Sequence, residues 1–485
     1  MEVAFGEWLA DARDYKNPGL EEVENATPGV NGFSPAREFV SSGVAVAGTI
    51  IGAGSSYLVD GSTAVFVATT DDLHILRGGV SMASGLSLAL PDTSTVVFEQ
   101  FNNAIYATSK DGGMWVLSDF ELGTAFVDNT GSPPTANAMG RVADFLIMGD
   151  LTDIDASNAP YRIRWSRFNN PGGSWTTDIG AQSGAIDLDA KYGPVTAITG
   201  GNYGLIFQRQ GVTRISFTGG ATVFRLDPFE ENRGCVSPAS AVQVGEVIYY
   251  LAHDGFFRTD GTTPQAISTG KIWSWFSGEV NESYLNKVTG SVDYQRRCVV
   301  WLFSGAVGAD YTGQLWYNWE TESWGYVSQP MQWVISGSKS GLSLEEVGAL
   351  YPDLDAMPVS LDSPDFQPTG RNLQAFSSGS LGELTGTTLK ATFTTGDMQP
   401  FPSQRAFVDE ITPLVEADAV NVRLGCKDRM TQTFTDSSTV PMGTIGFAPF
   451  NHDARYFRVT VEIPAGEEWG NAHGFQIAAQ PAGRL

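Results

Sequence analysis

Gly201-Asn202-Tyr203-Gly204-Leu205-Ile206-Phe207-Gln208-Arg209-Gln210-Gly211-Val212-Thr213-Arg214-Ile215 is the stretch that decides the fold. A polar turn opens it, an apolar strand follows, a glycine turn reverses the chain and a second strand returns. The phrase comes back at Gly245 to Gly261, where Val247-Ile248-Tyr249-Tyr250-Leu251 turns at His253-Asp254-Gly255 into Phe256-Phe257-Arg258. The two copies lie roughly 45 residues apart, the spacing of blades in a β-propeller. Further copies lie outward on both sides. Ala64 to Thr69 turns into Leu73 to Leu76, and Ala104 to Thr108 into Met114 to Leu117. Phe145 to Gly149 leads to Tyr161 to Ser166, and Arg297 to Phe303 leads to Gln314 to Trp319. These make six strand pairs, and Gln374-Ala375-Phe376-Ser377 is the candidate for a seventh.

A lone hairpin cannot cover its own apolar face, and an open sheet leaves unpaired edges. Repeating small antiparallel sheets around an axis meets both needs. Helical period is scarce: only Ile272 to Phe276 and Leu342 to Leu350 suggest short helices. The expected fold is therefore all-β, a propeller of six blades, or seven if the last copy counts. Residues 1–43 are broken by Asn17-Pro18-Gly19, Thr27-Pro28-Gly29 and Ser34-Pro35, which punctuate structure rather than propagate it. They are expected to form an extended N-terminal arm with one helical turn, lying across a blade or a neighbouring subunit. The propeller is placed at 44–380, with Val44 to Gly54 as a strand. Beyond it the strands lengthen and alternate, at Leu389 to Thr395, Ala419 to Gly425, Arg455 to Ile463 and His473 to Ala478. Period two means one buried and one wet face, so 381–485 is expected as a sandwich-like platform or a ring-closing segment.

The chain of 485 residues carries 54 acidic and 29 basic side chains, a net charge of −25. Tight binding to nucleic acid needs lysine and arginine against phosphate, so this balance argues against it. It argues equally against anionic membrane surfaces. It suits a soluble acidic cover or a passage through which DNA slides without sticking. Three scattered cysteines, Cys235, Cys298 and Cys426, form no Cys-x-x-Cys, which argues against a disulfide framework and a zinc ribbon. No signal peptide is expected at Met-Glu-Val-Ala-Phe-Gly-Glu-Trp, and no apolar run approaches the roughly 20 residues of a membrane-spanning helix.

The motifs that could carry chemistry are sparse. Ser109-Lys110-Asp111-Gly112-Gly113-Met114-Trp115 nearly matches the Asp-box of sialidase-like propellers, with the tryptophan one residue early. Arg162, Arg164 and Arg167 alternate with Trp165 and Phe168, a pattern that can stack and pair single-stranded nucleic acid. Positions 162 and 164 share one strand face, so a subunit contact or a solvated face explains them equally well. The acidic groups Asp150, Asp153 and Asp155, Asp187 and Asp189, and Asp353 and Asp355 offer carboxylate pairs of the kind glycosidases use, or loop carboxylates in water. The calcium loop pattern is absent. His74, His253, His452 and His473 show no metal-binding or protease spacing, and no phosphate-cradling loop or nucleophile elbow occurs. The expectation is no catalytic residue, no cofactor and no metal.

Several phrases, in order, resemble a known family. They are Tyr15-Lys16-Asn17-Pro18-Gly19-Leu20, Asn25-Ala26-Thr27-Pro28 and Gly32-Phe33-Ser34-Pro35, then Ile163-Arg164-Trp165-Ser166 with Pro171-Gly172-Gly173-Ser174-Trp175. Gly234-Cys235-Val236-Ser237-Pro238 follows, ahead of Asp254-Gly255-Phe256-Phe257, and the chain closes with Arg455 to Val461, Ile463-Pro464 and Gly483-Arg484. This order resembles the tail hub or nozzle of short-tailed bacteriophages, the packaged-DNA stabilisation proteins and tail tubular protein B. The stretch from about 340 to 400 carries none of it. The resemblance implies a structural virion protein without an active site, assembled in the host cytoplasm. It implies a homo-hexameric ring below the portal and its adaptor, touching tail fibre or needle proteins. Such a ring retains packaged double-stranded DNA and conducts it at ejection. A carbohydrate-active, sialidase-like propeller and a host-surface binding module are the alternatives.

Overall fold

The computed structural model describes residues 1–482 apart from 16, 60, 221, 306–310, 339–370 and 403. The helix expected at Leu342 to Leu350 and the pair Asp353 and Asp355 lie outside the described residues. Among the described residues the chain is nearly all β. Seven four-stranded antiparallel sheets follow one another as blades, and two six-stranded sheets stand beside them.

The recurring phrase is the second and third strand of each blade. In the fourth blade these are Tyr203–Gln208 and Val212–Phe217, flanked by Val195–Thr199 within and Phe224–Glu230 outside. The copy at Gln374 to Ser377 is likewise a second strand, Asn372–Ser377, of a seventh blade. The second strands read as unbroken apolar runs because neighbouring blades cover both of their faces. Every residue of Cys298–Ser304 is buried, and Tyr250 packs its ring on Phe207 at 4.9 Å and on Phe257 at 6.0 Å. The fourth strands carry no such signal. Val127–Asp128 and Gln265–Ala266 are short and exposed, held by backbone pairing to the strand inside them.

The seventh blade closes the ring with a strand from the other end of the chain. Trp333–Gly337, Asn372–Ser377 and Ser380–Glu383 are completed by Val40–Ala45, with Ala45 opposite Ser380 and Val40 opposite Glu383. Val44, Val46 and Ile50 then bury with Phe376, Leu381 and Val67 between the seventh and first blades. The stretch Val44 to Gly54 is thus not one strand. The chain leaves the seventh blade at Ala45, turns through Gly48 at φ +97°, and enters the first blade at Ile50. Gly48 is needed there because that φ lies in the left-handed region.

Residues 1–43 are not an arm. Glu2–Ala4, Ala26–Gly29 and Gly32–Pro35 join Ala406–Val415, Ala448–Ala454 and Ala472–Pro481 in one sheet. Leu20–Glu24 joins Ala391–Thr395, Asn421–Lys427 and Tyr456–Ile463 in the other, with the short strands Thr435–Asp436 and Val440–Pro441. The prolines and glycines do break the segment, but Glu2–Ala4, Leu20–Glu24 and Gly32–Pro35 find partners more than 350 residues away, which local pattern cannot show. The sheets close over Phe5, Phe33, Phe393 and Phe475, with Phe5 stacked on Phe393 at 4.9 Å.

The same apolar core runs on into the fifth and sixth blades. Trp8 meets Trp275 edge-on at 4.7 Å, and Asn318 Nδ2 donates to the Pro28 carbonyl at 3.2 Å. Asp11 accepts from the backbone N–H groups of Ser274 and Trp275, capping the helix Trp273–Glu279, which covers the expected turn at Ile272 to Phe276. Gly325 on the sixth blade's outer strand lies so close to this region that a Cβ would stand 2.5 Å from the Ala26 carbonyl oxygen.

Candidate functional site: the axial cavity

Inner strands of six blades line the propeller axis, and the turn Pro238–Ser240 stands in for that of the fifth. They enclose a cavity of about 360 Å³. Its walls are small and mostly neutral, among them Ala53, Ser55, Ala197, Thr289, Ser291 and Ser336. At one end, where first strands turn into second strands, it opens into a space of about 560 Å³ bounded by Glu99, Gln100, Arg141, Gly200, Gly201 and Gln243. At the other end a second space of about 560 Å³ is bounded by Asp92, Lys287, Tyr311 and Trp333. These volumes suit a small molecule or a side chain.

Among the described residues, Glu99 is the ionisable group of the middle cavity. It sits in the first strand Val97–Phe101 of the second blade, half-buried. Desolvation pushes its carboxyl up to about 7, against the pull of the Arg141 guanidinium and a hydrogen bond from the Arg141 backbone. Arg141 is itself held to the wall. Its guanidinium lies over the Phe101 ring at 4.9 Å, donates to the Ala143 carbonyl at 3.0 Å and reaches Asp144 at 3.6 Å. Gly200 and Gly201 let the loop after Thr199 press onto this strand end, where Gly201 N–H donates to the Arg141 carbonyl at 2.9 Å. The sequence did not single out Glu99. The signal available was one carboxylate inside the otherwise apolar-rich strand Val97-Phe98-Glu99-Gln100-Phe101.

The residues that the sequence did single out are spent on holding the blades. Arg164 donates two hydrogen bonds to Asp153, at 2.6 and 2.9 Å, and a third to the Trp175 carbonyl at 3.0 Å. Arg162 lies on the same face, as its spacing requires, and bridges Asp153 at 2.9 Å and Asp187 at 2.6 Å. Arg167 pairs with Asp178 at 3.3 Å. Burial alone would raise the Asp153 carboxyl, yet the hydrogen bonds from Arg164 and Arg162 outweigh it and hold it down at about 2. Arg164 is buried, so the solvated face expected for this cluster holds only in part. The alternation of basic and aromatic residues here builds a closed ion-pair network.

The near Asp-box is a reversal between Ala104–Thr108 and Met114–Leu117. Ser109 N–H donates to the Gly113 carbonyl at 3.0 Å, and Trp115 buries its ring against Gly112. Asp111 accepts from Ser94 Oγ at 2.6 Å, tying down the loop that enters the second blade. Asp150 is clamped by Lys110 at 2.5 Å and Asn137 at 2.7 Å, while Asp155 accepts from Ser157 and Asp189 caps the turn Ala190–Tyr192. Among the described residues, no group of three histidine, cysteine or acidic side chains could hold a metal ion. His74 is buried, and desolvation lowers its pKa despite Asp72 nearby. Burial pushes the thiols of Cys235 and Cys426 up to about 11 and that of Cys298 higher still. No helix among the described residues is long and apolar enough to cross a membrane.

No protein-family model matches the chain, and no curated protein matches its sequence. Solved structures do overlap it in fold. A WD40 domain of Neurospora crassa Pan2 covers 63% of this chain and 90% of its own at 6% identity, with a TM-score of 0.36. BBS1N, solved in complex with ARL6DN, covers 73% and 96% at 12% identity, with a TM-score of 0.38. YCF48, solved with a D1 peptide, covers 49% and 69% at 13% identity, with a TM-score of 0.32. Likenesses this loose go no further than the propeller fold, which the strand order already establishes.

Proposed function

We propose that this protein is a structural component of a short-tailed phage virion, six copies forming the nozzle ring that retains and conducts double-stranded DNA. The observation that carries the reading is the order of family-like phrases along the chain, together with what those phrases do in the fold. Ile163-Arg164-Trp165-Ser166 and Pro171-Gly172-Gly173-Ser174-Trp175 meet at one point. Arg164 donates to the Trp175 carbonyl, and Trp175 Nε1 donates to the Pro171 carbonyl at 3.0 Å. In Gly234-Cys235-Val236-Ser237-Pro238, Ser237 Oγ donates to the Val288 carbonyl at 2.5 Å and fastens the approach to the sixth blade. Residues of this kind build a wall rather than a reaction centre.

Charge supports the same role. Asp71, Asp92, Asp111 and Asp128 are exposed on the first two blades and form no ion pair among the described residues. Six copies would carry a net charge of roughly −150, and a lumen faced by part of the acidic excess would repel phosphate at every point of passage. The axial cavity of the propeller is far too small for a duplex, so in this reading DNA runs between subunits, with blades as the wall. A heterologous contact repeated around the ring gives every copy the same neighbours.

Native mass spectrometry of the purified chain, alone and mixed with the phage's portal–adaptor complex, tests the proposal. A six-copy species that forms on, or is strongly favoured by, the adaptor is expected. A chain that stays monomeric with the adaptor while adsorbing to host cells would sink the proposal in favour of a surface-binding module.

A further inference from the structure

We propose that the axial cavity at Glu99 binds a primary alkylammonium group, supplied by a lysine side chain of a partner's extended segment or by a free diamine. This stands on the cavity itself and is independent of the virion assignment.

Glu99 and Arg141 are the charged groups on the walls of the middle cavity and its mouth, among the described residues. The Arg141 guanidinium is held by the Phe101 ring, the Ala143 carbonyl and Asp144. Arg141 lines the mouth and not the middle cavity, and Glu99 receives from it a backbone hydrogen bond and a Coulombic attraction. The carboxyl remains the group that the cavity presents to an entering molecule. A half-buried carboxylate whose ionised form burial disfavours is stabilised in that form by an entering cation. An anion would meet the opposite field.

The shape selects among cations. A metal ion needs several hard ligands, and no cluster of three exists among the described residues. An ammonium group needs only acceptors for its three N–H donors. The carboxylate supplies the charged one, and the hydroxyls of Ser55, Ser291 and Ser336 lie along the same walls. A narrow unbranched alkyl chain fits past Ala53, Ala197 and Met139, which offer methyl and thioether surface rather than charge. The net charge of −25 draws cations toward the molecule at long range, which raises the encounter rate but does not select this site.

Isothermal titration of the full chain in 0.15 M salt tests it, with 1,4-diaminobutane in one arm and N-acetyl-lysine amide in the other. N-acetyl-norleucine amide, which lacks the ammonium, is the control. Saturable binding at one site per chain is expected in at least one arm, with none in the control. Glu99→Gln should weaken it tenfold or more, and Asp92→Asn, at the far end of the axis, should leave it unchanged. With the carboxyl near 7, affinity of the unaltered chain should rise roughly tenfold from pH 6 to pH 8, because the ammonium stays charged while Glu99 ionises. The pH series needs no variant, so it decides the matter even if Glu99→Gln fails to fold. Binding in the lysine arm alone assigns the site to a partner's side chain, and in the diamine arm alone to a free amine. No saturable binding in either arm, equal binding by Glu99→Gln, many equivalent sites per chain, or an affinity flat across pH would overturn the proposal.

Discussion

Removing the Asp153 carboxylate, by Asp153→Ala, is expected to destabilise the protein by about 3–5 kcal/mol, the cost of leaving a buried charge without its partner. The geometry sets that magnitude. Asp153 is 4% exposed and Arg164 5%, and the carboxylate takes two hydrogen bonds from Arg164 and one from Arg162. Arg162 retains Asp187 and meets water, so its loss is small. Arg164 retains only the Trp175 carbonyl. Protonating Asp153 should cost less than deleting it. Its folded pKa of about 2 lies below the ordinary carboxylate value, so its contribution is fully present above pH 4 and is lost as pH falls through 2. That window corresponds to about 2–3 kcal/mol. Urea unfolding of Asp153→Ala, Arg164→Met and Asp153→Leu/Arg164→Met at pH 7 measures the effect. The double replacement should be far milder than the sum of the single ones, because no charge is left buried alone. Asp153→Ala within about 1 kcal/mol of the unaltered chain, or strict additivity in the double, would refute the reasoning and return these arginines to the surface-binding reading.

Three further outcomes follow from packing. Gly325→Val places side-chain atoms where the Ala26 carbonyl stands, and should raise protease sensitivity between the sandwich and the sixth blade in a timed digestion. Val44→Asp puts a charge into the seam between the seventh and first blades and should lower the thermal midpoint, whereas Val40→Asp on the exposed end of the same strand should barely move it. At pH 8 the native thiols of Cys235 and Cys298 should react with a disulfide reagent far more slowly than Cys426, because both are buried and desolvation raises all three thiols; all three should react promptly in urea.

The propeller was legible because its second strands are covered on both faces, so each prints an apolar run closed by a turn and followed by a returning strand. Even the weak copy at Gln374 to Ser377 proved to be a blade. What the sequence hid is what depends on distant partners. Val40–Ala45 has four exposed positions in its first four and looks like loop, yet it completes a sheet with Ser380–Glu383. Leu20–Glu24 and Ala26–Gly29 read as pieces of an arm until Ala391–Thr395 and the sandwich are in place. Ala406–Val415 escaped for a related reason: Asp409, Glu410 and Pro413 interrupt its apolar pattern, and the register shift between Val408 and Glu410 breaks its alternation. Glu99 was hidden most thoroughly. Only the convergence of the inner strands turns an ordinary strand glutamate into the lone carboxylate of the middle cavity among the described residues.

The chain is proposed to sit in a ring below the portal of a short-tailed particle. Cryo-electron microscopy of purified virions, with the tail reconstructed without imposed symmetry, tests it most directly. Six propeller-and-sandwich units around the DNA path, with the first two blades facing the lumen, are expected. Tail density into which this fold cannot be placed, in particles shown by mass spectrometry to lack the chain, would contradict it.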